Sequence, residues 1–217
     1  MPGALVTGTR RIGGAIARAL ASAGCDVALA YRASREAAEA AAADVRAAGR
    51  QGVALQADLE DPAACRSLVD AAAGALGGLS VVVLAASRFD RIAFDALDAG
   101  AWDRGLAVDL DASFHCAQAA VPHLRRAGGG HVVLFSDWVA ASGRPRYRGY
   151  LPYYVAKRGV AALGEALALE LARDGIRVHV ARAAHAAEQH PDPGPAAGGQ
   201  SRRQPHPQAG GFRPYHP

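Results

Sequence analysis

Short apolar runs rich in Val, Leu and Ala recur along the chain, at residues 4–7, 26–31, 52–57, 79–86, 131–136 and 176–181. Longer Ala-rich stretches between them predict helices near 13–23, 34–48, 61–75, 106–127 and 153–173. The runs are nearly continuous rather than alternating with polar residues, so the strands they predict are buried on both faces, as in a parallel sheet covered by helices on either side. Ser34 stands where the second helix needs an N-cap, Glu36 falls in its first turn and Gly49 suits its far end. The expected fold class is α/β, a doubly wound parallel sheet of Rossmann type.

The pattern stops after Ala181. Residues 182–217 hold seven of the 12 prolines and four of the 8 histidines, with no Ile, Leu, Val or Met. A segment of that composition cannot build a core. The chain therefore reads as one domain over 1–181, followed by a disordered segment over 182–217. That segment has the Pro-, Arg-, His- and Gly-rich character of GC-rich DNA read out of frame. The codons GCC-CCG-GGC for Ala-Pro-Gly, short of one C, would read Ala-Arg-Ala, as at 181–183. A frameshifted ending without functional residues is the expectation.

Composition narrows the classes. The formal charge of +4 is spread over helical faces, which argues against a nucleic-acid partner. No apolar run reaches the ~18–20 residues of a membrane span and no charged leader precedes the first strand, so a cytoplasmic location and no membrane partner are expected. Cys25, Cys65 and Cys116 are widely spaced and fit small buried hydrophobes better than a disulfide framework or metal ligands. No metal is expected. Of the 24 basic residues only Lys157 is lysine, and asparagine is absent. A lone lysine in so Arg-rich a background suggests that its chemistry was needed.

The first strand-to-helix turn reads VTGTRRIGG, in which glycines let the backbone approach a pyrophosphate and the helix start offers free N–H groups. Gly8, Gly13 and Gly14 do not reproduce G-x-G-x-x-G, Ile12 stands where a glycine often falls, and taken alone the stretch also fits a tight structural turn. The second strand ends in Ala30-Tyr31-Arg32 with no acidic residue to hold a free ribose. Arg32 with Arg10 or Arg11 suits a 2′-phosphate, hence NADP, against the alternative of three solvated arginines. Tyr153 and Lys157, four apart behind Pro152, share one helical face. An ammonium beside a phenol lowers its pKa from about 10 toward neutrality, as a proton donor requires. Arg144, Arg146 and Arg148, interleaved with Tyr147 and Tyr150, either face an anionic or aromatic substrate or, more commonly for such a run, form a solvated loop.

The ordered set VTGxxRxIG, ADL, AAS, HVVLFSD and YYVAK resembles the short-chain dehydrogenase/reductase family over residues 3–181. The R-R-I-G loop, the A-S-R-F segment and Asp in place of Ser after the fifth strand resemble its pteridine reductase-like branch. The resemblance implies a small-molecule substrate and cofactor contacts from Gly8, Thr9, Arg10, Arg11, Ile12, Arg32, Asp58, Leu59, Ala85 and Ala86, with Asp58 at the adenine edge. It further implies that Tyr153 protonates the substrate oxygen, Lys157 also grips the nicotinamide ribose, and Asp137 stands where the family's substrate-orienting Ser does. Ser136 is expected on the opposite side of the strand. The family's N-N-A-G becomes Leu84-Ala85-Ala86-Ser87, and the Asn that completes a catalytic tetrad is Asp109. An ionised carboxylate accepts hydrogen bonds but lacks the amide's donors, so compositional drift and a changed mechanism both remain open. The expected activity is NADPH-dependent reduction of a carbonyl or pterin-like C=N group. The alternative is an impaired or inactive relative that binds only nucleotide or a partner. The resemblance also implies a further C-terminal strand and a substrate-covering region, which this chain is expected to lack; a homo-oligomer fits the fold but is doubtful without that strand.

Overall fold

A computed structural model of the protein describes residues 1–141 and 148–183, and gives the backbone alone for Arg10, Arg11, Val139, Ala141 and Ala183. Six parallel strands form one sheet: β1 (Gly3–Thr7), β2 (Asp26–Tyr31), β3 (Gly52–Gln56), β4 (Val81–Leu84), β5 (Gly130–Asp137) and β6 (Ile176–Ala183). Their order is β3-β2-β1-β4-β5-β6. The sequence of strands thus reverses direction at β1 and β4, whose carboxyl ends open the crevice where doubly wound sheets bind ligands.

Helices α1 (Gly14–Ser22) and α2 (Arg35–Ala47) cover one face, with Val6, Val27 and Leu29 of the sheet buried beneath them against Ala17 and Val45 of the helices. The other face carries α3 (Pro62–Leu76), α5 (Ala112–Arg126) and α7 (Leu151–Leu171) over Leu5, Val82, Val132 and Leu134. Burial on both faces is why β1, β2 and β4 carry no polar alternation, whereas β6 alternates, with Ile176 buried and Arg177 and His179 exposed. The three cysteines are free and buried. Cys65 on α3 donates its thiol to the Leu59 carbonyl at 3.6 Å; the neighbouring Cys116 on α5 lowers the Cys65 thiol and is itself raised by Cys65 and by burial, and burial pushes the Cys25 thiol up. Among the described residues no helix is long and apolar enough to cross a membrane, and no group of three or more His, Cys, Asp and Glu could hold a metal.

Four expectations need correction. The boundary expected after Ala181 lies further on, because the β5–β6 ladder continues through Ser136–Arg182 to Asp137–Ala183. Backbone pairing extends the strand there irrespective of side-chain hydropathy; the remainder of the expected disordered segment lies outside the described residues. The single helix expected over 106–127 is three pieces: α4 (Ala99–Leu106), a π-helical turn (Ala107–Asp111) and α5. Asp98 starts α4, accepting the Ala101 N–H at 2.7 Å. Ser34 precedes α2 but its side chain makes no capping hydrogen bond, while Gly49, with φ of 75°, does turn the chain beyond that helix. Finally, Ser136 and Asp137 do not divide between opposite partners. Asp137 is the last residue of β5, where the chain turns into α6 (Trp138–Ala141), and both side chains reach α7, Ser136 at the Lys157 carbonyl and Asp137 at the Tyr153 hydroxyl. The loop residues Arg144, Arg146 and Tyr147 lie outside the described residues; Arg148 is exposed and Tyr150 buried.

Candidate active site

At the carboxyl end of β1 the chain turns through Gly8, in the left-handed region at φ 79° and ψ 52°, into a π-helical turn (Thr9–Gly13) that leads directly into α1. A Cβ on Gly8 would lie 2.3 Å from the Ala85 carbonyl oxygen. The two strand ends therefore approach as closely as backbone can, and Thr7 ties them together: its hydroxyl accepts the N–H groups of Ala85 and Ala86 at 3.0 and 3.1 Å. This bare backbone cradle beside an open helix start fits a dinucleotide's pyrophosphate. Thr9 is buried, with its hydroxyl 3.5 Å from the Ala30 carbonyl, and Ile12 is exposed. Gly8→Ala combines a positive φ with a backbone clash. It is expected to cost at least about 1 kcal/mol and to weaken nucleotide binding, measurable by thermal unfolding with and without NADPH.

The second cluster lies across β5 and the start of α7. Tyr153 donates its hydroxyl to Asp137 at 2.9 Å, and both residues are buried. Ser136 donates to the Lys157 carbonyl at 2.7 Å, fixing the helix against the strand. Lys157 donates to the Phe135 carbonyl at 3.0 Å, and its ammonium lies 5.6 Å from the centre of the Tyr153 ring. Phe89 meets the edge of Tyr153 at 4.7 Å between centroids and stacks on Tyr150 at 4.2 Å. A small cavity of about 70 Å³ opens beside Tyr153 between Arg88, Asp90, Arg104 and Pro152.

Asp109, brought inward by the π-helical turn, is fully buried and forms an ion pair of 2.9 Å with Lys157. It also accepts the Ser87 hydroxyl at 2.6 Å and the Arg88 N–H at 2.8 Å. The carboxylate thus holds the loop after β4 and the lysine at once, accepting three of the roughly four hydrogen bonds a carboxylate can take. Ser87 has a partner here that sequence patterning does not reveal, because the two residues lie 22 apart.

The adenosine-end residues are only partly gathered. Asp58 is exposed at the end of β3, its carboxylate accepting the Glu60 N–H at 3.1 Å, and Leu59 is partly buried. Arg32 follows β2 as expected, but its guanidinium is not free: it pairs with Glu60 at 2.9 Å. Glu60 was not singled out by the sequence; its sole signal is its place two residues beyond Asp58.

A sequence profile described as short chain dehydrogenase matches residues 3–186. The chain belongs to that family. Its general chemistry is oxidoreduction with NAD(P), and the expected α/β parallel sheet is the fold observed. A Rhizobium meliloti (strain 1021) protein described as a probable galactose dehydrogenase is 37% identical over 181 residues, covering 82% of this chain and 68% of that protein. The 3-oxoacyl-[acyl-carrier-protein] reductase FabG of Staphylococcus aureus (strain Mu50) is 34% identical over 177 residues, covering 81% of this chain and 71% of its own length. Among solved structures, a short chain dehydrogenase from Burkholderia cenocepacia in complex with NADP is 38% identical, with a TM-score of 0.78 over 83% of this chain and 73% of that one.

Proposed function

We propose that the protein is an NADPH-dependent reductase of a carbonyl or pterin-like C=N substrate, with Tyr153 as proton donor. The observation that carries this reading is the Tyr153–Asp137 hydrogen bond of 2.9 Å, beside the Lys157 ammonium and a small cavity. The cofactor would supply the hydride; the chain's own residues handle the proton. Tyr153 gives its proton to the substrate atom that gains negative charge. Lys157 stabilises the phenolate left behind and, with the Gly8 cradle, positions the nucleotide. Asp137 orients the phenol and the substrate, or supplies a second proton. The Asp at the end of β5, together with the A-S-R-F segment, supports the pteridine reductase-like branch. Purified protein assayed for NADPH oxidation against a panel of carbonyl compounds and oxidised pterins tests the proposal, and turnover of neither class overturns it. Asp137→Ala is expected to slow reduction by about tenfold or more with a smaller effect on NADPH affinity, read from kcat and a binding titration.

The preference for NADPH rests on Arg32 at the end of β2 and on the absence of an acidic residue there; the side chains of Arg10 and Arg11 lie outside the described residues. Arg32→Asp is expected to reverse the preference. Equal dissociation constants for NADPH and NADH in the parent protein would sink this part. A second reading, a nucleotide-binding protein with little turnover, is favoured by one observation: Asp109 already holds the lysine that the reaction needs. Nucleotide binding without reduction of any compound in the panel decides for it.

A further inference from the structure

Glu60, which neither the family's motifs nor the proposed mechanism uses, stands at the centre of a chain of charges. One of its oxygens, Oε1, accepts from Arg32 Nη1 at 2.9 Å and also from Arg88 Nη1. Arg88 in turn donates its Nε to Asp90 at 2.5 Å. Glu60 follows β3 and Arg88 follows β4, and the sheet order places the ends of β2 and β1 between them. Three strand spacings amount to roughly 14 Å. The ion pair therefore reaches across the mouth of the crevice that opens at the Gly8 turn, from the adenosine side to the loop beside Tyr153.

We propose that Glu60 is a specificity-determining residue that competes with the cofactor's 2′-phosphate for Arg32, and so restrains the NADPH preference that Arg32 alone would confer. This rests on the crevice being the nucleotide site. A phosphate approaching Arg32 meets a guanidinium already paired with a carboxylate and must either displace that carboxylate or bind against its charge. NADH brings no group to that point and is indifferent to it. With Arg32 a little over half exposed and Glu60 about one-quarter exposed, the competition takes place in a partly solvated setting. One such pair is worth a modest factor rather than orders of magnitude. Arg88 keeps Glu60 in place when Arg32 leaves, since it holds the same oxygen from the other side and is anchored by Asp90.

The test is a set of dissociation constants for NADPH and NADH, from cofactor fluorescence, with the parent protein, Glu60→Gln, Glu60→Ala, Arg32→Ala and the double variant Arg32→Ala/Glu60→Gln. Circular dichroism and thermal unfolding establish that each variant is folded. Glu60→Gln and Glu60→Ala are expected to raise the NADH-to-NADPH ratio of dissociation constants about fivefold, near the upper end for one partly exposed ion pair. The gain should vanish in the Arg32→Ala background. The parent's own ratio tests the NADPH reading separately: a parent that binds both cofactors equally sinks that reading, yet the ratio still shifts on losing Glu60 if the competition exists. A ratio unchanged in both single Glu60 variants, or an equal shift with Arg32 absent, overturns the proposal.

Discussion

Replacing Tyr153 with Phe is expected to remove most turnover, by about 10²–10⁴-fold, while leaving NADPH affinity within a small factor of the parent value. The substitution deletes one oxygen. It leaves the ring edge on Phe89 and the helix start at Leu151–Pro152 in place. The hydrogen bond to Asp137, a residue 2% exposed, is lost, while the aromatic packing that holds the ring is kept. Single-turnover reduction measured at saturating NADPH separates chemistry from binding. A Phe variant that retains the parent rate would show that the proton comes from elsewhere. If Lys157 holds the nucleotide as proposed, Lys157→Ala should differ in kind, damaging rate and cofactor affinity together, because the ammonium that stands 5.6 Å from the phenol ring would serve both.

Asp109→Ala is expected to be among the most damaging single changes for stability, costing about 3–5 kcal/mol, the usual range for removing one member of a buried ion pair. The carboxylate is fully buried and Lys157 nearly so. Its removal strands a buried ammonium and leaves the Ser87 hydroxyl and the Arg88 N–H without their acceptor. Asp109→Asn should cost less, since the amide oxygen can still accept from two of the three donors, although the amide nitrogen cannot serve the third. Urea unfolding of the three proteins checks the order. An Ala variant as stable as the parent would mean that Lys157 is not left as a stranded buried charge, having lost its proton or gained access to water. The Asn variant also bears on the reaction: faster turnover than the parent would indicate that the carboxylate restrains Lys157.

The sheet and its helices were legible in the sequence because burial on both faces leaves a direct trace, runs of Val, Leu and Ala bounded by helical spacing. Glycine punctuation was equally readable at Gly49, where only a positive φ turns the chain. Tyr153 and Lys157 were legible for a local reason: a spacing of four on a helix sets two side chains on one face whatever the rest of the protein does. Asp137 was readable from its place at the end of a strand, but its partner was not, since Tyr153 is 16 residues away and meets it only once α7 packs against β5. The same holds for Asp109. Its charge marked it as a departure from the family's amide, while its ion pair with Lys157, 48 residues on, depends on a π-helical turn that no hydrophobic periodicity announces. Arg32 shows the limit most clearly. Its position after β2 was correct, yet whether it stands free for a phosphate is set by Glu60, from the turn after the neighbouring strand β3 but 28 residues away in the chain. Elements follow from local patterns of polarity; which charges meet at the ends of the strands is decided by strand order, and strand order exists only in the folded sheet.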